Sequence, residues 1–431
     1  RDLMKKLHGV RLDHHKNTED CASQKLPLPE LVRIPMSMHI GAPCTPVVKP
    51  RDTVQVGQKI GDTDAFMAVP IHSGVSGTVK AITTYRMSNG RTCPMVEIAT
   101  DGQQTVCPDV KPPEVTDKAS FLKAIRESGL VGMGGASFPT HVKLAPKQKV
   151  DTLAINAAEC EPYITSDYRQ MVEAPDEVLD GVLQVMRWLE IPKAVIGIEA
   201  NKPEAIRILT EKAASHPEIR VETLPTTYPQ GAEKVLIYNT LGRIVGEGQL
   251  PADQGVIVMN VSSVAFVSRY LKTGMPLVER MLTVDGDVIG NPCNVVVPMG
   301  TPVRDVLAFA QCDLERAKKL LYGGPMMGIC IPDVADPILK ANNAILAFEK
   351  ILDTKPSACI HCGRCLEACP LRLMPTEIAK AFRQKDSEAL GAHKVMLCMN
   401  CGCCTYACPA KRPVAETNQL AKSFYMNSIK K

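Results

Sequence analysis

Hydrophobic and polar positions change their period three times along the chain. Between residues 41 and 110 the sequence is rich in Gly, Pro and β-branched residues, with short alternating runs such as Thr53-Val-Gln-Val56 and Gly77-Thr-Val-Lys-Ala-Ile82. Alternation of period two broken by frequent turn signals predicts a small all-β unit. From about residue 116 the pattern becomes helical at 120–128, apolar at 152–155, helical at 175–189, apolar at 194–198, helical at 202–214 and strand-like again at 219–222. Helices alternating with short apolar strands predict an α/β layered domain on a parallel sheet. Short strands return at 282–288 and 293–298, followed by a turn and a helix from 300. The expected fold class is therefore multidomain α/β plus small β, with units at 1–115, 116–270, 271–345 and 346–431.

A length of 431 residues suggests about three domains, so four compact units are reasonable. A net charge of +4 and 4% aromatic residues argue against nucleic-acid binding, which calls for a basic stripe and stacking platforms. No run approaches the roughly 18 consecutive apolar residues that span a bilayer. The charged, His-rich first twenty residues have no apolar core and do not read as a secretory signal. The expectation is a soluble chain, or one held at a membrane through other proteins. His8, His14, His15 and Cys21 match no defensible metal spacing and are expected to be solvated.

Of 17 cysteines, nine fall between Cys359 and Cys408. One run reads Cys359-Ile-His-Cys362-Gly-Arg-Cys365-Leu-Glu-Ala-Cys369-Pro370, the other Cys398-Met-Asn-Cys401-Gly-Cys-Cys404-Thr-Tyr-Ala-Cys408-Pro409. Both are C-x2-C-x2-C-x3-C-P, the spacing of two-cluster [4Fe–4S] ferredoxins, in which the fourth cysteine ligates the other cluster. The expected sets are Cys359, Cys362, Cys365 and Cys408 for one cluster, and Cys398, Cys401, Cys404 and Cys369 for the other. Cys403 is left as a non-ligand. Paired C-x2-C units also hold Zn2+, but zinc has no use for a third evenly spaced cysteine followed by Cys-Pro. Cys293, Cys312 and Cys330 lie at unrelated spacings and are expected to be buried as small hydrophobes.

Gly132-Met-Gly134-Gly135-Ala-Ser-Phe138-Pro-Thr-His-Val-Lys143 is a glycine-rich loop. Such a loop can bring backbone N–H groups to a phosphate, with Lys143 as a point charge, or simply tighten a turn. On the residues alone both readings stand.

Resemblances sharpen this picture. Val54-Gln-Val-Gly-Gln-Lys-Ile60 with Pro70-Ile-His-Ser-Gly-Val-Ser-Gly77 resembles the biotinyl/lipoyl carrier barrel-sandwich, but Ala65-Phe66-Met67 stands where a carrier has its lysine. Only the fold carries over. The glycine loop, Asn156-Ala-Ala-Glu159-Cys-Glu161-Pro162 and Tyr228-Pro-Gln-Gly231-Ala-Glu233 resemble the three signatures of the flavin-bearing, NADH-oxidising subunit of respiratory complex I. Segment 275–345 resembles the β-grasp module that follows that flavin domain. With Tyr322-Gly-Gly-Pro-Met-Met-Gly328 and the two-cluster helical ferredoxin-like end, nearly the whole chain resembles the RnfC component of the Rnf complexes, membrane-bound, ion-translocating ferredoxin:NAD+ oxidoreductases.

The resemblance implies an NAD-dependent oxidoreductase subunit with FMN and two [4Fe–4S] clusters. It implies FMN contacts at Gly132, Gly134, Lys143, Asn156, Glu159, Gly231 and Asn260, and NAD(H) contacts at Gly135, Phe138, Glu161 and Glu233. On sequence pattern alone, Glu161 and Glu233 read instead as helix-start or surface carboxylates. Ala158 and Ala232 stand where the complex I signature is acidic, and Ser137 where it has glycine. Implied partners are the other membrane subunits, ferredoxin indirectly and NADH/NAD+, at the cytoplasmic face of the membrane. Because nicotinamides exchange hydride and clusters single electrons, the flavin would interconvert the two. A microcompartment cobalamin reductase of the same architecture would share every motif. A non-catalytic cluster relay is the alternative from another class, and the flavin content separates it.

Overall fold

The computed structural model describes residues 6–88, 90–351 and 354–429. The expected ends at residues 1 and 431 lie outside them. The first β unit is a sandwich of two antiparallel sheets. One has the order Leu31–Pro35, Thr92–Thr100, Gly77–Arg86, Thr53–Val54, and the other Thr45–Pro46, Lys59–Asp62, Ile71–His72. Alternate residues of both (Val32, Ile34, Ile60, Ile71, Val79, Ile98) fill the space between them. The turn between Lys59–Asp62 and Ile71–His72 carries Phe66 at its exposed tip.

The next unit is a four-stranded parallel sheet in the order Ile219–Leu224, Lys193–Glu199, Thr152–Ala157, Val256–Asn260. Its three inner and switch-side strands are near-continuous apolar runs because helices cover both faces, whereas the edge strand Ile219–Leu224 carries Arg220 and Glu222. The strand order reverses beside Thr152–Ala157, where Asn156 lies in register with Asn260. In open α/β sheets such a reversal leaves a crevice at the carboxyl ends of the strands.

Helix Pro175–Leu189 shows why local sequence and packing agree. Proline opens it, Asp176 and Glu177 face the positive end of its dipole, and Glu190 closes it in the left-handed region. Val178, Val182 and Val185 are buried, each contributing about 1.5–3 kcal/mol. Gly181 lets it press on helix Val261–Thr273: a Cβ there would stand 1.9 Å from the Val264 carbonyl oxygen. Gly181→Ala would force the two helices apart.

A mixed six-stranded sheet follows, ordered Gln24–Lys25, Cys293–Pro298, Glu279–Asp285, Ala344–Phe348, Lys319–Tyr322, Ile329–Cys330, with helix Val303–Phe309 packed on it. Its first strand comes from the amino end. Within the expected 1–115 unit, residues 6–25 leave the sandwich and strap across the rest of the molecule. Leu7 bonds to Asn239, Val10 pairs with Tyr228, and Gln24 pairs with Val295. His8 and His15 are exposed as expected, but His14 and Cys21, on the same strap, are half-buried. Cys293 is buried and Cys312 half-buried, whereas Cys330 lies exposed on a two-residue edge strand, contrary to expectation.

The carboxyl-terminal unit packs helices Pro375–Arg383, Ser387–Ala392 and Val414–Ser428 around Leu373, Ile378, Leu390 and Ala421.

Lys340 joins three units. Fully buried, its ammonium donates to the carbonyls of Gly129 (2.7 Å) and Pro70 (3.1 Å), and burial pulls its pKa down to about 7. A lysine whose folded pKa is depressed adds stability above its unfolded value, and that stability is lost as pH falls through the folded value. Lys340→Met should therefore flatten the fall in stability between pH 10 and 7, measured by urea unfolding at each pH.

Candidate functional site

The glycine loop folds back on itself: the Gly132 N–H donates to Phe138 O (2.9 Å), leaving Gly134, Gly135 and Ala136 exposed at its tip. Ser137 sits at φ +54°, which explains why a glycine would suit that position. Two bonds seat the loop on the crevice. The Met133 N–H donates to Ser263 Oγ (3.0 Å), and the buried Arg280 guanidinium donates to Met133 O (2.8 Å). A Cβ at Gly134 would stand 2.8 Å from Asn260 Nδ2, so only glycine lets the loop approach this closely. At Gly135 no atom lies within 4 Å of a Cβ position among the described residues, so the loop tip opens onto free space.

The strand ends supply the polar floor. Asn260 caps helix Val261–Thr273, its Oδ1 accepting from Ser262 and Ser263 N–H while its Nδ2 donates to Asp167 (2.7 Å). Asn156 Nδ2 donates to Gly231 O (2.8 Å), which ties the second and third signatures together. Lys143 Nζ donates to Glu233 (3.1 Å) and to Val258 O (3.2 Å). Gly132, Gly134, Gly135, Lys143, Asn156, Gly231, Glu233 and Asn260 are thus brought to one crevice, with half-buried Phe138 on the loop. A glycine loop standing over two asparagines and a lysine fits a flavin phosphate and ring.

Two expected contacts have other occupations. Glu159 turns its carboxylate to the Asp167 and Tyr168 N–H groups (2.6 and 3.1 Å), holding the start of helix Ser166–Glu173. Glu161 accepts from Met326 and Met327 N–H (3.1 and 2.8 Å) in the 322–328 loop. Its carboxyl is pushed up to about 7 by burial, against the pull of these bonds. Glu161 thus also clamps two units together, each carboxylate oxygen accepting one backbone N–H of the 322–328 loop.

The cysteines surround two cavities. Cys369 lines one with Cys398, Cys401 and Cys404, and Cys408 lines the other with Cys359, Cys362 and Cys365. Each fourth cysteine crosses to the opposite run. The two runs share one backbone: His361 and Asn400, then Gly363 and Gly402, all lie at positive φ. These left-handed residues turn the chain around each cavity and start the short helices Arg364–Glu367 and Cys403–Tyr406. Three thiols on one loop and a fourth from the opposite run, with Leu371, Leu373 and Met399 as apolar wall in one cavity and Ile360, Leu366 and Met374 in the other, fit a cubane cluster in each. Cys403 also lines the inner of the two cavities, beside Cys404, as a fifth thiol outside the repeated spacing. Its buried thiol hydrogen-bonds to the Cys401 sulfur and packs beside Tyr228 and Ala368.

The inner cavity abuts the crevice unit. Tyr228, from the third signature, is 2% exposed and donates its hydroxyl to Cys401 O at 2.7 Å. A Cβ at Gly402 would stand 2.8 Å from Met326 O, in the loop that Glu161 holds. The outer cavity reaches the surface, where Cys362 and Ile360 are exposed. Lys16, Lys202, Glu199, Asp167 and Arg280, all beside the crevice, went unnoticed in the sequence; no periodicity or motif marks them.

Three family models match: the Nuo51 FMN-binding domain over residues 125–269, the RnfC barrel sandwich hybrid domain over 5–103, and a 4Fe-4S dicluster domain over 351–412. Solved chains of NAD+-reducing [NiFe]-hydrogenase, in the H2-reduced and air-oxidized states, share the fold with TM-scores of 0.50 and 0.51 at 20% identity. The match covers 72% of this chain but 63% of theirs, less than two thirds. Among curated proteins, the C component of the Na(+)-translocating ferredoxin:NAD(+) oxidoreductase complex of Acetobacterium woodii is 42% identical, over 91% of this chain and 90% of its own length. The C component of the proton-translocating complex of Clostridium ljungdahlii is 42% identical over 87% of this chain and 83% of its own length. The C component of the ion-translocating oxidoreductase complex of Rhodobacter capsulatus is 38% identical over 96% and 82%. The chain belongs to the RnfC family, the C components of ion-translocating ferredoxin:NAD(+) oxidoreductase complexes.

Proposed function

We propose that this chain is the flavin- and iron–sulfur-bearing subunit through which such a complex exchanges electrons with NAD(H). The observation that carries the reading is the contact between crevice and cluster cradle: Tyr228 adjoins the flavin-type signature and bonds directly to the backbone of Cys401. Bound FMN would supply the step between two-electron and one-electron chemistry. The chain's own groups would do the rest. The 132–138 loop and Lys143 hold the phosphate and ring, Asn156 and Asn260 fix the crevice floor, and Phe138 with Gly135 faces the nicotinamide. Glu233, paired with Lys143, borders that entrance. Cys369, Cys398, Cys401 and Cys404 hold the cluster next to the crevice, and Cys359, Cys362, Cys365 and Cys408 the one at the surface.

The mixed sheet with helix Val303–Phe309 is read as a β-grasp module that seats the cluster unit, since its 322–328 loop touches both Glu161 and Gly402. The partners would be the membrane subunits, with ferredoxin reached through them. Among the described residues no helix is long and apolar enough to cross a membrane. Attachment would then be peripheral, on the cytoplasmic face where NADH is found.

Purified anaerobically, the chain should carry noncovalent FMN and reduce artificial dyes with NADH, and absence of flavin would leave only a cluster relay. In native cells it should sediment with membranes and be released by high salt or by deletion of the membrane subunits. Recovery with a corrinoid enzyme instead would favour the cobalamin reductase reading.

A further inference from the structure

Four ionisable side chains meet behind the crevice, and none has a part in the reading above. Lys16 enters on the amino-terminal strap and donates to three loop carbonyls: Glu159 O (2.9 Å), Glu161 O (2.9 Å) and Ile164 O (2.6 Å). Lys202, 4% exposed, donates to Ala158 O (2.7 Å) and lies 3.7 Å from Glu199. Glu199 ends strand Lys193–Glu199, is 1% exposed, and neither of its carboxylate oxygens has a hydrogen-bond partner among the described residues. Glu159 completes the group.

The loop these ammoniums hold is the one that leaves strand Thr152–Ala157 at the switch point. It is tied to Gly231 on its other side, through Asn156 Nδ2 and through the Gly231 N–H on Cys160 Sγ (3.4 Å). Two cations buried against the carbonyls of one crevice loop, with carboxylates as their counter-charges, are costly to assemble unless the charge is used. A surface lysine would have fastened the strap without this desolvation. The strap is in any case held elsewhere, by Thr18 on Thr165 and by Asn17 on Asp285.

We propose that Lys16 is a positioning residue for the flavin: with Lys202 it fixes the 158–164 loop by its carbonyls and sets a positive charge behind the crevice that favours the reduced ring. The inference rests on the FMN reading. Hydride from a reduced nicotinamide brings two electrons and one proton, so oxidised flavin gains one negative charge, and a buried cation nearby stabilises that product over the reactant.

Three of these groups are shifted toward neutrality. Burial pulls Lys16 down to about 8 and pushes Glu159 and Glu199 up to about 7. The neighbours facing them are Lys202 from the second strand–helix unit, Cys160 and Glu161 on the loop, Asp167 on the following helix and His14 on the strap. As pH rises from 6 to 9 the carboxyls lose protons and Lys16 loses its charge, so the group becomes less positive. Stabilisation of the reduced ring is then lost, and the flavin potential should fall with pH more steeply than proton uptake by the ring alone requires.

The test compares wild type, Lys16→Met and Thr18→Val as full chains with FMN bound, titrated spectroelectrochemically from pH 6 to 9. Thr18→Val loosens the strap without changing charge, and Thr165 keeps Thr283 and Asn294 as partners. Lys16→Met should weaken binding of reduced relative to oxidised FMN about tenfold, about 30 mV for a two-electron couple, and should flatten the extra pH slope. Thr18→Val should lower the melting temperature and leave the potential unmoved. If Lys16→Met shifts the melting temperature but neither potential nor slope, the lysine is a structural staple and the proposal is overturned. If wild type binds no FMN, it is the flavin reading that fails.

Discussion

Cys408→Ser and Cys369→Ser should each halve the iron of the protein, from about eight to about four per chain, yet remove different clusters. Cys408 follows the second run in sequence but lines the cavity of Cys359, Cys362 and Cys365. Cys369 closes the cavity of Cys398, Cys401 and Cys404, beside Tyr228. Losing the surface cluster should leave NADH-to-dye activity at the flavin and fast reduction of the remaining cluster, while transfer to outside acceptors fails. Losing the inner cluster should leave the outer one oxidised in the presence of NADH, because its link to the crevice is gone. Iron analysis with low-temperature EPR after NADH addition separates the two. Damage by Cys408→Ser to the inner cluster would refute the crossed sets, and zinc in place of iron would refute both.

The grouping of cysteines around each cavity was legible because ligand chemistry fixes spacing: a cubane needs three thiolates within one tight loop, whatever the rest of the fold does. The parallel strands were legible for a similar reason, since burial on both faces leaves an apolar run that turns cannot mimic. The expected strand at 152–155 lies within the observed Thr152–Ala157, parallel to both its neighbours. Helix Glu233–Leu241 is different. It is apolar on nearly every side, with Val235, Leu236 and Ile237 all buried, so no stripe of period 3.6 marked it. The strap was illegible because its partners lie far off in sequence: Lys16 reaches across more than 140 positions to its loop. A lysine in a charged amino-terminal stretch reads as solvated, and only the fold shows three carbonyls closing on it. The clamp made by Glu161 was illegible for a related reason. Motif position placed it in the crevice, whereas the direction of its side chain depends on a loop more than 160 residues away.

Glu161→Ala should disconnect the flavin crevice from the clusters while leaving the crevice itself intact. The carboxylate takes two backbone donors of the 322–328 loop, and Gly324 is pressed so close that a Cβ there would stand 2.2 Å from Oε2. Removing it leaves the Met326 and Met327 N–H groups without their acceptor, at a cost of about 1–3 kcal/mol each. Glu161→Gln keeps the shape but turns an NH2 toward one of those N–H groups, so it should be nearly as damaging. Because burial raises the folded pKa to about 7, this carboxyl adds stability below its unfolded value that is lost as pH rises through 7. The penalty of the alanine variant should accordingly be larger at pH 5 than at pH 8, by urea unfolding. Met326 O abuts Gly402 in the inner cradle, so a loosened loop displaces the cluster nearest Tyr228. The expected result is full FMN content and an unchanged KM for NADH with dyes, but slower reduction of the clusters in stopped flow. A raised KM with normal stability and normal cluster reduction would return Glu161 to the nucleotide site.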